Sequence, residues 1–147
     1  MPASFIALDW GTSSFRAYSV GGDGTVVDTV SAPQGILTVE NRAFDEALEK
    51  QIGSWDVSTP ILASGMITSR QGWVELPYVA CPANLKSIAA ALQGHTTRRG
   101  RKIHFVPGVS ARDGNGTPDV MRGEETQVMG ASAGGVEYFI TPGTHCK

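Results

Sequence analysis

The sequence predicts an α/β fold built on a mixed sheet covered on both faces. Three observations point there. Three strand-like runs separated by tight-turn residues open the chain, and strand and helix patterns then alternate to its end. Hydrophobic residues make up 41% and charged residues 18% of 147, enough to bury one core in one main domain.

Phe5 to Leu8 is the first apolar run and ends at the polar turn Asp9-Trp10-Gly11-Thr12-Ser13-Ser14. Phe15 to Val20 alternates as a second strand. Gly21-Gly22-Asp23-Gly24 is a hairpin signal, and Thr25 to Val30 is the returning strand. From Ala43 to Ile52 the period changes to that of a helix, with Phe44, Ala47, Leu48 and Ile52 on one face and Gly53 as its stop. Pro60 to Gly65 is a strand running into a glycine turn. Residues 66–83, with two prolines and Gly72-Trp73, form an irregular excursion with room for a short hairpin.

Asn84 caps a helix that reaches Leu92, and residues 95–102 make a polar connection. Ile103 to Val109 is a strand and turn, and Asp113 to Pro118 a loop. The next helix starts near Gly123 with two glutamates in its first turn, where the helix dipole favours them, and stops at Gly134-Gly135. Val136 to Thr141 is a last strand. The expected order is βββαβαβα, followed by one more strand.

Several function classes are excluded. Twelve basic against 14 acidic residues give a net charge of −2, so there is no general attraction to nucleic acid or an anionic membrane. No run of about 18 apolar residues exists to span a bilayer. The N-terminus lacks the basic start and cleavage site of a signal peptide. The two cysteines, Cys81 and Cys146, lie outside any CxxC motif, so a disulfide framework or zinc site is not expected and a cytoplasmic setting is. His95, His104 and His145 share no metal-ligand spacing, and neither a P-loop nor a GxGxxG turn is present. The basic run Arg98 to Lys102 has no interleaved aromatics and reads as a solvated connection.

Four segments could carry chemistry. In Asp9-x-Gly11-Thr12-Ser13-x-x-Arg16 a carboxylate at a strand end can hold hydrated magnesium. The glycine turn and hydroxyls can face phosphate oxygens, and Arg16 can add charge. The same residues also fit an ordinary hairpin whose Asp and Thr satisfy the turn. In Met121-Arg122-Gly123-Glu124-Glu125-Thr126-Gln127 a carboxylate at a helix start, beside an arginine, suits a general base near an anionic substrate. It equally suits a helix that merely favours acids in its first turn. Ser64-Gly65-Met66-Ile67-Thr68-Ser69-Arg70, with Gly72-Trp73, follows a strand end, where α/β sheets bind ligands; a structured surface loop is the other reading. Thr141-Pro142-Gly143-Thr144-His145 could place Gly143 and Thr144 at a second phosphate contact, or be a plain loop.

Taken together and in this order, the segments resemble a family. The strand-Asp-x-Gly-Thr-hairpin followed by β-α-β-α is similar to the first lobe of the sugar kinase, actin and heat-shock chaperone superfamily, which implies a ribonuclease-H-like (actin-like ATPase) fold. More narrowly, Ile6 to Ala17, Ala63 to Ile67, Gly72-Trp73, Pro77-Tyr78, Val106 to Gly108, Val120 to Gln127 and Pro142 to Lys147 resemble the 2-keto-3-deoxygalactonate kinases. That family is about twice as long. The resemblance therefore implies an N-terminal kinase lobe over residues 1–135, the start of a truncated second lobe over 136–147, and an adenosine pocket in the part not present.

The reaction implied is ATP- and Mg2+-dependent phosphorylation of the 6-hydroxyl of 2-keto-3-deoxygalactonate in galactonate breakdown. Asp9 would position Mg2+ through water, and Gly11, Thr12, Ser13, Arg16, Gly143 and Thr144 would contact phosphate. Glu124 would be the base, with Glu125 as fallback, in a position where many relatives carry aspartate after glycine. Arg122 would meet the substrate carboxylate or the charge developing at phosphate. Ser64, Met66, Arg70 and Trp73 would hold the sugar acid. A lone lobe would expose its cleft face, so self-association is expected. A non-catalytic sugar-acid-binding or regulatory module of the same fold is the alternative, as is an exopolyphosphatase-like or chaperone-like relative; Asp9 and Glu124 favour the enzyme.

Overall fold

A computed structural model describes residues 2–132 and 140–141. The main sheet has six strands in the order β3-β2-β1-β4-β7-β6. Strands β1 (Ala3–Trp10), β2 (Phe15–Gly21) and β3 (Val26–Ala32) form an antiparallel meander. Strands β4 (Ile61–Ser64) and β7 (Lys102–Phe105) run parallel to β1, so their C-terminal ends open on the same side. The sheet is mixed, as expected.

Alternation decides which side of each strand is buried. Ile6, Leu8, Trp10, Phe15, Ala17, Ile61, Ala63, Ile103 and Phe105 point to one face. Helix α1 (Phe44–Ile52) covers that face with the four expected residues, Phe44, Ala47, Leu48 and Ile52. Edge-to-face aromatic contacts run through this core, from Phe15 to Trp10 at 5.0 Å and from Trp10 to Phe44 at 5.7 Å.

The opposite face is covered more thinly. Ile88 of α2 (Leu85–Ala90) and Met129 of α3 (Glu124–Ser132) join Leu62, Val106 and Val109 in a smaller cluster. Asn84 caps α2 as expected, through a reciprocal box with Ser87 at 3.0 and 2.9 Å.

One expectation needs correction. The polar connection at 95–102 begins as an edge strand, β6 (Gln93–Thr96), which pairs antiparallel with β7. All four of its residues are exposed, so no alternation marked it. Its turn closes through the bond from the Gly100 amide to the Thr97 carbonyl at 2.9 Å, with Gly100 at φ 91°.

The strand and turn expected at 103–109 are β7 and the residues that follow it. Pro107 has no N–H to give a ladder, and the chain leaves the main sheet there. It enters a second, three-stranded sheet, β5-β8-β9, made of β5 (Val79–Ala80), β8 (Val109–Arg112) and β9 (Pro118–Met121). The loop expected at 113–118 is the β8–β9 hairpin. The Asp113 carboxylate accepts the amides of Asn115 and Thr117 at 2.8 and 2.9 Å, and β9 precedes α3 directly. The stop at Gly134-Gly135 and residues 136–139 of the expected last strand lie outside the described residues.

Candidate active site

Asp9 is the penultimate residue of β1. Register sets it opposite Arg16 on β2 and opposite Ser64 on β4. Its side chain projects from the face away from α1, because Leu8 and Trp10 on either side are buried against that helix. The Arg16 guanidinium stands 3.9 Å from the Asp9 carboxylate in a half-exposed pair.

The chain must leave β4 sharply to keep this strand end open. Gly65 does so at φ 98°, and any Cβ there would lie 2.8 Å from the Trp10 carbonyl and 3.1 Å from Asp9 Oδ1. Gly123, at φ 113°, opens α3 against the same point: a Cβ on it would come 3.1 Å from Gly65 Cα. Two glycines in the left-handed region thus let the start of α3 meet the ends of β1 and β4.

This packing brings Glu124 into the electrostatic range of Asp9. Burial pushes the Asp9 carboxyl above its ordinary value, Arg16 draws it back, and the charge on Glu124 raises it. The two adjacent glutamates differ in setting. Glu124 is half-buried and accepts the Arg122 amide at 3.0 Å. Glu125 is 3% exposed and turns inward to accept the Gly123 amide at 2.6 Å. Burial raises the Glu125 carboxyl; its own amide and that of Gly123 pull the other way. Glu125 ties down the helix start, and Glu124 is the more exposed carboxylate of the two, within electrostatic range of Asp9.

Beside these residues lies a cleft of about 360 Å³. Ala7, Tyr18 and Leu62 form its floor, and Asp9, Arg16, Ser64, Thr126 and Gln127 line it. The Gly11 turn closes one end of β1, with its amide bonded to the Ser14 carbonyl at 2.9 Å. Gly35 packs directly behind it, since a Cβ there would overlap the Thr12 carbonyl at 2.1 Å. The Ile36 amide takes the Gly11 carbonyl at 2.9 Å. Thr12 and Ser13 stay exposed, with backbone support only from behind. Sequence reading overlooked Gly35; the Pro33-Gln34-Gly35 run was its only local signal.

Other predicted residues are not brought together with Asp9. Trp73 packs on the α1 face, stacked on Phe44 at 5.9 Å and edge-on to Phe105 at 5.7 Å. It borders a different cleft, with Arg42 and His95, and is partly buried against the core. Met66 is half-buried against the same core. The Arg70 side chain is 87% exposed and stands 3.7 Å from the Glu75 carboxylate. Thr68, on the same segment, is fully buried.

Arg122 does not reach outward for a carboxylate either. Its Nη1 donates to the Thr68 carbonyl and hydroxyl at 2.5 and 2.8 Å, and its Nη2 to the Leu76 carbonyl at 3.2 Å. Gly143 and Thr144 lie outside the described residues.

Among the described residues no three His, Cys, Asp or Glu side chains cluster to bind a metal by themselves. One half-exposed carboxylate with a second near it would suit only a cation that keeps most of its water and completes its shell with phosphate. Mg2+ fits that description. Among the described residues no helix is long and apolar enough to cross a membrane.

Comparison with known proteins places the chain in context. The family model described as 2-keto-3-deoxy-galactonokinase matches residues 9–147. A Rhizobium meliloti (strain 1021) protein carrying the name "Probable 2-dehydro-3-deoxygalactonokinase DgoK1" is 40% identical, over 97% of this chain and 48% of its own length. The 2-dehydro-3-deoxygalactonokinase of Escherichia coli (strain K12) is 35% identical, over 100% of this chain and 49% of its own. A crystal structure from Sinorhizobium meliloti, described by the same activity, superposes with a TM-score of 0.81 at 37% identity, over 97% of this chain and 47% of the other. The chain spans about half the length of the curated relatives it matches.

Proposed function

The chain belongs to the 2-keto-3-deoxy-galactonokinase family, and from that premise we propose that it is the N-terminal lobe of a kinase that transfers phosphate from ATP to the 6-hydroxyl of 2-keto-3-deoxygalactonate. The observation that carries this reading is the convergence of Asp9 and Glu124 across the Gly65–Gly123 contact. A binding module needs neither carboxylate. The sheet order β3-β2-β1-β4-β7, with β1 parallel to β4, supports the ribonuclease-H-like assignment.

In this reading Glu124 takes the proton from the 6-hydroxyl as its oxygen attacks the γ-phosphorus. The bond to the bridging oxygen breaks and ADP departs with the electron pair. Glu124 is chosen over Glu125 because it is half-buried near Asp9, whereas Glu125 is only 3% exposed; each accepts one backbone amide. Asp9 would hold hydrated Mg2+, which when bound supplies charge neutralisation at the transferring phosphate.

Gly11, Thr12 and Ser13 would present the turn to phosphate, with Arg16 adding charge. Gly143 and Thr144 would be a second phosphate turn. Ser64, in register with Asp9, would face the sugar acid, with Met66 and Arg70 on the segment that follows. The lobe boundary near residue 135 and an adenosine site in the second lobe belong to the same reading, as does the cytoplasm as its setting.

The test is ATP-dependent phosphate transfer by the full-length protein. Purified enzyme with ATP and Mg2+ is expected to phosphorylate 2-keto-3-deoxygalactonate at carbon 6. Glu124→Gln is expected to lower kcat at least 100-fold with sugar binding retained. Unchanged turnover in that variant would remove Glu124 from the mechanism, and no transfer by the wild type would remove the kinase reading.

A further inference from the structure

The segment between β4 and β5 has one short 3-10 turn, Met66–Thr68, and otherwise no regular structure. It is nevertheless held at both ends by one side chain. Arg122 Nη1 donates to the carbonyl and hydroxyl of Thr68, and Nη2 donates to the carbonyl of Leu76. The guanidinium also lies 4.3 Å from the centre of the Tyr78 ring, which covers its face.

Thr68 passes this anchoring inward, because its hydroxyl lies 3.3 Å from the Val106 carbonyl at the end of β7. The Leu76 amide bonds back to the Thr68 carbonyl at 3.0 Å, so the two anchor points also hold each other. The main chain of Arg122 does a second job: its amide donates to Glu124 Oε2 at 3.0 Å.

We infer that Arg122 is a positioning residue, tying the Met66–Tyr78 segment to the helix start that presents Glu124, so that the sugar-side loop and the base are set by one residue. The roles of loop and base rest on the kinase reading above. The geometry argues against direct substrate pairing. A guanidinium has five N–H donors in a fixed plane. Three contacts go to protein oxygens and one face is against Tyr78, while the buried Nε is the donor left without a partner among the described residues.

The experiment compares wild type, Arg122→Ala and Arg122→Lys in the full-length protein. Two probes are used, 2-keto-3-deoxygalactonate and its uncharged C1 amide. A positioning role raises KM and lowers kcat, each about 10-fold, by the same factor for both probes. Lysine, a point charge without the fork, should not restore them. A penalty confined to the charged acid, or full recovery in Arg122→Lys, would overturn the inference in favour of carboxylate binding.

Hydrogen exchange separates this from the parent reading. Amides of residues 66–76 are expected to exchange at least 10-fold faster in Arg122→Lys, with protection of β1 and β4 retained. Unchanged exchange there overturns the tie even if the enzyme is a kinase. A wild type that turns over neither probe defeats the kinase reading, while the exchange result still decides what Arg122 holds.

Discussion

Gly65 and Gly123 meet backbone to backbone: a Cβ built on Gly123 would lie 3.1 Å from Gly65 Cα. This contact is what allows the start of one helix to reach the ends of two parallel strands. Both residues lie at φ values that side chains rarely adopt, 98° and 113°.

The first prediction follows from crowding at Gly65. Gly65→Ala adds a Cβ 2.8 Å from the Trp10 carbonyl to an already unfavourable φ, and should cost more than about 3 kcal/mol. Gly100→Ala is the control. It has a comparable φ, 91°, but nothing within 4 Å of the added carbon, so the conformational cost alone, about 1–2 kcal/mol, should appear. Urea titration of the two variants measures the difference. Equal midpoints would show that the close approach is absent in solution.

A second prediction concerns Arg101, which is 0% exposed despite its charge. It reaches from the β6–β7 turn to the C-terminus of α1. It donates to the Glu49 carboxylate at 2.7 Å and to the carbonyls of Ile52, Trp55 and Asp56 at 3.0, 2.9 and 3.1 Å. Ile52 ends the helix, and its carbonyl also accepts the Trp55 amide at 2.9 Å. Arg101→Met should destabilise the fold by about 2–3 kcal/mol, because three carbonyls lose their donor while Glu49 keeps only its pair with the exposed Arg99 at 3.0 Å. Arg101→Lys should recover little, since one ammonium cannot serve four acceptors in a plane. Denaturant midpoints of the two variants check both statements.

Trp73 gives a third. Its ring bridges Phe44, His95 and Phe105 on the α1 face. Trp73→Ala should therefore act on stability, by about 3 kcal/mol. In full-length enzyme at a temperature where it stays folded, KM for the sugar acid should change less than twofold. A KM rise of 10-fold with an unchanged melting temperature would return Trp73 to the substrate site.

The contrast between these residues shows what is readable from the chain alone. Helix α1 is legible because its four buried residues recur at helical spacing, and β1 to β3 because turn residues punctuate alternating runs. The second sheet and β6 are not. Short strands with mostly exposed side chains carry no hydrophobic period, and their pairing is fixed by residues far along the chain. Arg101 reads as one of a solvated basic run, since nothing nearby reveals partners some fifty positions earlier. Asp9 and Glu124 are legible as separate motifs. Only the family resemblance suggested one site, and the left-handed Gly65 and Gly123 are its physical means.

Glu125 makes the last prediction, through pH. Its carboxyl is raised chiefly by burial, and Oε1 has no partner among the described residues. A carboxyl whose folded value lies above its unfolded one favours the folded state most when protonated. That contribution is complete below the unfolded value and is lost as pH rises through the folded value. Stability of the chain should therefore fall across this window as Glu125 is forced to ionise in an apolar setting. Glu125→Gln keeps an acceptor for the Gly123 amide and cannot ionise. It should flatten this part of the pH–stability curve and raise the denaturant midpoint at neutral pH, whereas Glu125→Ala should lower it by leaving the Gly123 amide unpaired. Parallel curves for wild type and Glu125→Gln from pH 4 to pH 8 would show that Glu125 ionises without cost and that the helix start is wetter than its 3% exposure implies.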